Sequence, residues 1–452
     1  MNTGLTWRPS RLQEIARSNP ALIATLAYAS LSLAGAAALM LPLMRDASRI
    51  EPVLFVDALF ISTSAVSTTG LSTLDSASTF SFAGEAVLLL LLQIGGVGYM
   101  TFMSFAYLLM RNSLGRTQTD LARAGFGLNN EYSIPRFLRA VVISTLLIEV
   151  VGAAVLSRAF AVAGVDNPVW QGVFHSVSAF CTAGFSLFPN SLENFKGDPL
   201  VLYSVSVLSY LGAIGFVVIA ELVDSLVRQR AQISPTSKII LKVTAGLAIF
   251  ATGMLWAFEP SIHALPVELR LDNAFFQAMT ASTTVGFNSV PIGSLAPTSL
   301  MIIYLLMFIG ASPSGTGGGL KSSTAAVLWA TAVASIAGRD KVISSGVVIP
   351  PVRVHQAAAT FVLAMCTIFA GVVGLDLTGS YSFDKALFEV ISALSTVGLS
   401  MGLTGELNAA GKLVITLVMF IGRVGILAFF LAVARRQGGF DNHRLRERDV
   451  IL

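Results

Sequence analysis

Four short stretches of the chain share one order of residue types. Each closes on Thr-x-Gly: Thr68-Thr69-Gly70, Thr182-Ala183-Gly184, Thr284-Val285-Gly286 and Thr396-Val397-Gly398. Ten residues before each glycine stands Phe60, Phe174, Phe276 or Phe388. Six before stands a hydroxyl (Ser64, Ser178, Thr280, Ser392), and five before stands Ala65, Ala179, Ala281 or Ala393. Leu71, Phe185, Phe287 or Leu399 follows, so the shared string is F-x-x-x-[ST]-A-x-x-T-x-G-[LF]. A lone T-x-G carries no information. Four copies in one frame, with glycines 114, 102 and 112 residues apart, indicate an internal repeat. Glycine reaches backbone angles that other residues avoid, so a short helix ending here can turn and aim carbonyls to one side. Four such turns around an axis offer rings of carbonyl oxygens and threonine hydroxyls. Rings of that kind replace the hydration shell of an alkali cation. The chemistry expected is ion coordination, with no covalent step.

Other chemistry is poorly supported. Cys181 and Cys366 lie far apart, and His175, His263, His355 and His443 are scattered, so no metal-type spacing or disulfide framework arises. His175 falls in the second stretch, but nothing aligned with it forms a nucleophile, a base or a metal set. An intramembrane enzyme is therefore not expected.

The elements that position the repeat must be membrane helices. Of 452 residues, 54% are hydrophobic and only 12% charged, with mean hydropathy +0.75. A soluble domain carries about twice that charge. The net charge of +4 is small and dispersed and gives no nucleic-acid footprint. Runs long enough to span lie at 21–44, 84–110, 137–163, 199–223, 238–258, 298–311 with 322–337, 355–376 and 411–434. Counting the broken pair once gives eight spans. Between them, apolar stretches near 54–66, 169–181, 273–283 and 385–395 are too short to cross and read as re-entrant segments. The first run follows Arg8, Arg11 and Arg17 with no small-residue cleavage site, so it reads as a span and not a signal peptide. A second mark, Gly95, Gly212, Gly310 and Gly422, follows each anchor by 25, 28, 24 and 24 residues. Glycine is frequent in membrane helices, but the matching offset favours equivalent positions.

Charge sets the expected orientation. Pieces 1–20, 111–139, 224–242, 338–353 and 435–452 hold 20 of the 29 Lys and Arg, which predicts that they face the cytoplasm. Each unit then starts and ends inside, and the four run parallel about one axis. The outer loops hold 14 acidic residues, Asp57 among them, against seven basic ones including Lys412. Such an excess would draw cations to the mouth. The fold expected is an all-α membrane protein of eight transmembrane helices and four re-entrant helices. The units are 21–110, 111–228, 229–338 and 339–434, flanked by termini 1–20 and 435–452.

Two features break the pattern. The third unit's second span reads Gly310-Ala311-Ser312-Pro313-Ser314-Gly315-Thr316-Gly317-Gly318-Gly319-Leu320-Lys321. Its proline and glycines cannot hold a lipid-exposed helix, so an irregular loop inside the bundle is expected. A phosphate-binding loop fails as a reading, because Lys321 does not directly follow the last glycine and no strand precedes it. Arg423 sits in the last span, where a charge is costly and usually functional. A structural partnership with Glu149 or Glu221 is the alternative, and Lys321 could instead snorkel to the cytoplasmic side.

On the T-x-G quartet and the broken third unit, the chain resembles the Trk/Ktr/HKT superfamily of potassium transporters over about residues 20–450. Eight spans with no extra N-terminal pair resemble its shorter Ktr-type (KtrB-like) membrane subunits. The resemblance implies one pore per chain, built from four M1–P-loop–M2 repeats. It assigns the selectivity filter to Thr68, Thr69, Gly70, Thr182, Ala183, Gly184, Thr284, Val285, Gly286, Thr396, Val397 and Gly398, with K+ as the ion held. Glycine at the first of these, Gly70, resembles the potassium-selective type, where serine accompanies sodium selectivity. A gating loop 310–322 is implied beneath the filter, through Gly310, Ser312, Pro313, Gly315, Gly317, Gly318, Gly319 and Lys321, with Arg423 against it. Ala311, Gly317 and the Ser314-Gly315 order depart from the family's usual loop wording. The resemblance further implies a homodimer in a bacterial inner membrane, cytoplasmic termini, and a cytoplasmic ring of nucleotide-binding regulatory (KtrA-like RCK/KTN) subunits. No cofactor beyond potassium is expected, with sodium as a candidate coupling ion. A secondary transporter working by alternating access is the rival reading.

Overall fold

The computed structural model describes residues 20–46, 52–98, 134–228 and 233–433. The expected termini 1–20 and 435–452, the distal part of the 84–110 run and most of 111–139 therefore lie outside the described residues, Pro20 excepted. Helices make up most of the described chain. One order recurs: a long helix, a short helix, a Thr-x-Gly turn and a second helix. The first set is α1 (Pro20–Leu39), α2 (Phe55–Val66) and α3 (Phe82–Val97). The second is α4 (Ile134–Val162), α5 (Pro168–Phe180), α6 (Pro199–Ile214) and α7 (Phe216–Arg228). The third is α8 (Pro235–Phe258), α9 (Val267–Thr283), α10 (Pro297–Ile309) and α11 (Ser322–Ile336). The fourth is α12 (Pro351–Thr378), α13 (Phe383–Leu394), α14 (Ala409–Val424) and α15 (Ile426–Val433).

Among the described residues, four helices are long and apolar enough to cross a membrane, or six if each bent pair counts as one span. The long helices present their apolar side chains outward: Ile249, Phe369 and Leu377 are 75%, 72% and 80% exposed. That surface suits hydrocarbon, where water would reject it. The short helices are buried toward their C-terminal ends, where they meet the Thr-x-Gly turns, and exposed at their starts.

The second helices begin at strong caps. Ser81 Oγ accepts from Gly84 N–H, Asp198 Oδ1 from Leu200 and Val201, and Asn408 Oδ1 from Gly411. Pro199 and Pro297 open α6 and α10, where a missing N–H costs nothing. The helices close on one another in rotation: α3 packs on α5, α6 on α9, α10 on α13, and α14 returns to α2.

Two sequence expectations need correction. The runs 199–223 and 411–434 are not continuous helices. They bend by 98° and 101° at Gly215 and Gly425, whose φ values of 97° and 96° only glycine adopts freely. The fold is also not purely α. Ile343–Ser344 and Val347–Val348 form a two-stranded antiparallel hairpin, with Ile343 paired to Val348. Its two-residue turn, Ser345-Gly346, has φ values of 49° and 80°, the primed geometry that matches strand twist.

Candidate functional site

The four Thr-x-Gly turns adopt one conformation. Thr68, Thr182, Thr284 and Thr396 have φ values of 51°, 49°, 60° and 49°, left-handed and costly for a β-branched residue. Such strain, about 1–3 kcal/mol per residue, persists only where the surroundings fix it. What fixes it here is a set of bonds back to the short helix. The N–H after each threonine (Thr69, Ala183, Val285, Val397) donates to the carbonyl of Ser64, Ser178, Thr280 or Ser392 at 2.8, 2.8, 3.1 and 2.8 Å. The hydroxyls at that position are used as well. Ser64 Oγ and Ser392 Oγ each accept the following glycine's N–H at 3.1 Å, and Ser178 Oγ donates to Phe185 O at 2.8 Å. These bonds give the hydroxyl six residues before the glycine its purpose in three of the four turns. The N–H after each threonine, and the glycine N–H of the first and fourth turns, are satisfied on the helix side, which leaves those turns' carbonyls for other partners.

The glycines then form a closed ring. A Cβ on Gly70 would stand 2.5 Å from Ala183 O. One on Gly184 would strike Val285 O, one on Gly286 would strike Val397 O, and one on Gly398 would strike Thr69 O. Each turn thus abuts the carbonyl before the next glycine, and the fourth meets the first. The second glycine mark has an equally physical cause. A Cβ on Gly95, Gly212 or Gly422 would strike the carbonyl of Val66, Phe180 or Leu394, four residues before the ring glycine. These glycines let α3, α6 and α14 press against the ends of α2, α5 and α13. Gly310 differs: its neighbour is Gly318 O, because the loop occupies that place.

The loop between α10 and α11 lies directly against the ring threonines. Thr316 is at its centre. Thr182 Oγ1 donates to Thr316 Oγ1 at 3.0 Å, and Thr68 Oγ1 reaches Thr316 O at 3.4 Å. Gly318 N–H donates to Thr284 Oγ1 at 3.1 Å, and a Cβ on Gly318 would strike Thr396 Oγ1. The loop is tied to α6 as well, through Ser312 N–H to Ala213 O and Thr316 N–H to Gly212 O, both at 3.1 Å. Its glycines are needed for contact. Side chains at Gly315 or Gly317 would collide with Ala213 O or Thr284 Oγ1.

Arg423 reaches the loop from α14. Its guanidinium donates to Thr316 O and to Gly95 O, joining the loop, α3 and α14. The alternative partners are engaged elsewhere: Glu149 accepts from Gln93 Nε2 at 3.1 Å, and Glu221 from Ser234 N–H at 2.9 Å. Lys321 folds back onto the loop and donates to Gly317 O at 2.5 Å. On the side of the loop away from the ring, Lys321, Arg423, Ser314 and Gly425 line a cavity of about 280 Å³.

Other residues that stand out in the sequence take different places. Asp57 and Lys412, counted among the mouth charges, are an internal ion pair at 2.6 Å, so neither lends its full charge to the outer surface. Asp57 also accepts from Thr73 Oγ1 at 2.6 Å. His175 stacks on Phe188 and bonds to Ser186 Oγ, a buried aromatic site. Cys181 and Cys366 are free thiols. Reading the sequence for glycines and charges passes over Thr316, the loop residue that touches two of the ring threonines. Its signal is present: a hydroxyl between Gly315 and Gly317 that can match a threonine above it.

Comparison with known proteins agrees with this architecture. The family described as TrkH, cation transport protein, matches residues 2–440. The Ktr system potassium uptake protein B of Vibrio alginolyticus is 33% identical over 437 residues, covering 96% of this chain and 95% of the relative. That of Bacillus subtilis (strain 168) is 31% identical over 440 residues, covering 96% and 97%. The potassium/sodium uptake protein NtpJ of Enterococcus hirae is 30% identical over 445 residues, covering 96% and 98%. The crystal structure of the potassium transporter TrkH from Vibrio parahaemolyticus superposes with a TM-score of 0.73 at 20% identity, covering 96% of this chain and 86% of that one.

Proposed function

This chain belongs to the TrkH family of cation transport proteins, and we propose on that premise that it is the potassium-translocating subunit of a Ktr-type uptake system. Four M1–P-loop–M2 repeats surround one pore in a bacterial inner membrane, with both termini cytoplasmic. The selectivity filter is the ring of Thr68-Thr69-Gly70, Thr182-Ala183-Gly184, Thr284-Val285-Gly286 and Thr396-Val397-Gly398. Carbonyl oxygens there take the place of water around a potassium ion. The short helices turn their C-terminal, partly negative ends toward the ion, which favours a cation.

The observation that carries this reading is the cyclic contact of the four glycines, each against the carbonyl of the next turn. Beneath them the loop 310–322 is the gate. Thr316 lies across the path, and Arg423 holds it in place. Opening requires the Thr316 contacts and both Arg423 bonds to be exchanged for water or for other partners. The subunit works as a homodimer with a cytoplasmic nucleotide-binding ring of a second chain. Among the relatives, NtpJ is named for both potassium and sodium uptake, which supports sodium as a coupling ion here.

The test is potassium uptake in cells stripped of their own uptake systems and depleted of potassium, with the chain expressed beside its regulatory partner. Restored uptake, with potassium preferred over sodium, is expected. Absence of uptake in the presence of that partner refutes the proposal.

A further inference from the structure

The position nine residues before each ring glycine holds Ile61, His175, Gln277 and Glu389, which share no chemistry. The structure gives three of them one task. His175 Nε2 bonds to Ser186 Oγ at 3.0 Å, just beyond Gly184. Gln277 Oε1 accepts the Ser289 N–H at 3.3 Å, just beyond Gly286. Glu389 accepts from Ser400 Oγ, from Thr404 Oγ1 at 3.0 Å and from Thr404 N–H at 3.3 Å, beyond Gly398. In the first set Ile61 cannot do this, and Asp57, one turn earlier on α2, bonds to Thr73 Oγ1 instead. Each short helix therefore braces the segment that leaves its own glycine.

The fourth brace stands apart. Glu389 is fully buried, and among the described residues its carboxylate is held by hydroxyls and an amide, with no cation in an ion pair with it. Asp57, by contrast, has Lys412. A buried carboxyl without a cation is costly, and it persists where its hydrogen bonds specify a geometry. The ring is closed, so a shift of the segment after Gly398 is passed to Thr69 O on one side and, through Val397 O, to Gly286 on the other.

We propose that Glu389 is a positioning residue for ion selectivity: from behind the fourth turn it fixes the segment Leu399–Thr404 and so the diameter of the ring. The inference rests on the reading of the ring as the ion path. It names a residue that touches no ion and acts through Ser400 and Thr404. A glutamine retains the acceptor oxygen, and its amide can donate to Thr404 Oγ1. The size and hydrogen bonding of the brace thus matter more than its charge.

The test compares wild type, Glu389→Ala, Glu389→Gln and the double variant S400A/T404A in the uptake assay, with sodium as competitor. Thermal stabilisation of the purified proteins by potassium against sodium serves as a second reading. In E389A the KM for potassium is expected to rise, and the preference over sodium to fall, by about tenfold, with the maximal rate within about threefold, the scale of one lost strong hydrogen bond. E389Q should restore both to within about threefold of wild type. Unchanged preference in E389A, or an E389Q as impaired as E389A, overturns the brace while leaving the ion path standing. Should E389A fail to accumulate, S400A/T404A decides, and wild-type preference there overturns the proposal. A wild-type chain neither transporting nor stabilised by potassium refutes the ion path, and the brace with it.

Discussion

The carbonyl oxygen of Thr69 occupies the space that a Cβ on Gly398 would need. The first and last turns of the chain are thus in van der Waals contact, and the ring closes without room for a side chain. Gly70 has the least crowded position, with Ala183 O 2.5 Å from the Cβ site, and all four glycines have positive φ. Gly70→Ser should therefore assemble with a slightly widened ring and reduced discrimination against sodium. Gly286→Ser, facing Val397 O at closer range, should lose uptake and stability outright. Competition of sodium with potassium uptake, beside expression level, measures both. An equal response of the two variants would argue against the ring geometry.

Removal of the loop segment 313–319 should raise potassium flux in the absence of the regulatory partner. Thr316, Gly317 and Gly318 supply the contacts that face the ring threonines, so the deletion opens the space below them. Flux into proteoliposomes of the purified chain reports this. Unchanged flux would refute the assignment of the gate.

Arg423→Gln should raise basal flux by about tenfold or more, since it removes charged hydrogen bonds worth roughly 1.5–3 kcal/mol each. Arg423→Lys should not rescue it. A lysine carries charge but lacks the rigid fork that serves Thr316 O and Gly95 O together. The same proteoliposome assay distinguishes loss of charge from loss of the fork.

The Asp57–Lys412 pair binds the first short helix to the last second helix, and both side chains are largely buried. Asp57→Asn or Lys412→Met alone should cost about 3–5 kcal/mol by leaving one buried charge unpaired. The double variant should be less destabilised than the two single effects combined. Thermal midpoints in detergent close the cycle, and strict additivity would show that the pair is not coupled.

Glu259, in the loop after α8, has the sign of its pH dependence set by competing effects. Burial raises its carboxyl pKa, but hydrogen bonds from Ser261 and the Ala296 N–H help to outweigh this and hold it below the usual 4.5. A folded pKa below the unfolded one adds stability above pH about 4.5, which is lost as pH falls through the folded value. Wild type should thus lose thermal stability below that pH more steeply than Glu259→Gln. Parallel curves would remove Glu259 from the account.

Much of this architecture could be read from the residues. Apolar helices, short helices and the Thr-x-Gly frame declare themselves because apolar length and glycine offsets are local signals, whereas four to six spanning helices among the described residues stand against the eight spans expected. The bend at Gly215 could not be told from the many glycines that simply allow close packing. Gly212, three residues away, has that role within α6. Asp57 and Lys412 look like solvated mouth charges because their pairing joins distant parts of the chain. Thr316 is legible only once the ring threonines stand above it. The diverse column Ile61, His175, Gln277 and Glu389 hides a task shared by its last three members, since hydrogen bonding can be met by several side chains where packing cannot.

The Ser312–Ser314 stretch of the loop is fastened on both sides of the Gly215 bend: Ser312 Oγ donates to Ile214 O at 2.5 Å, and Phe216 N–H donates to Ser314 O at 3.2 Å. Elbow and loop are therefore one latch. A sideways swing of α7, the arm beyond that elbow, pulls on Ser314 before it disturbs any glycine of the ring. On the proposed reading of loop and ring, force applied at the far end of the arm would free the one while the other keeps its bore.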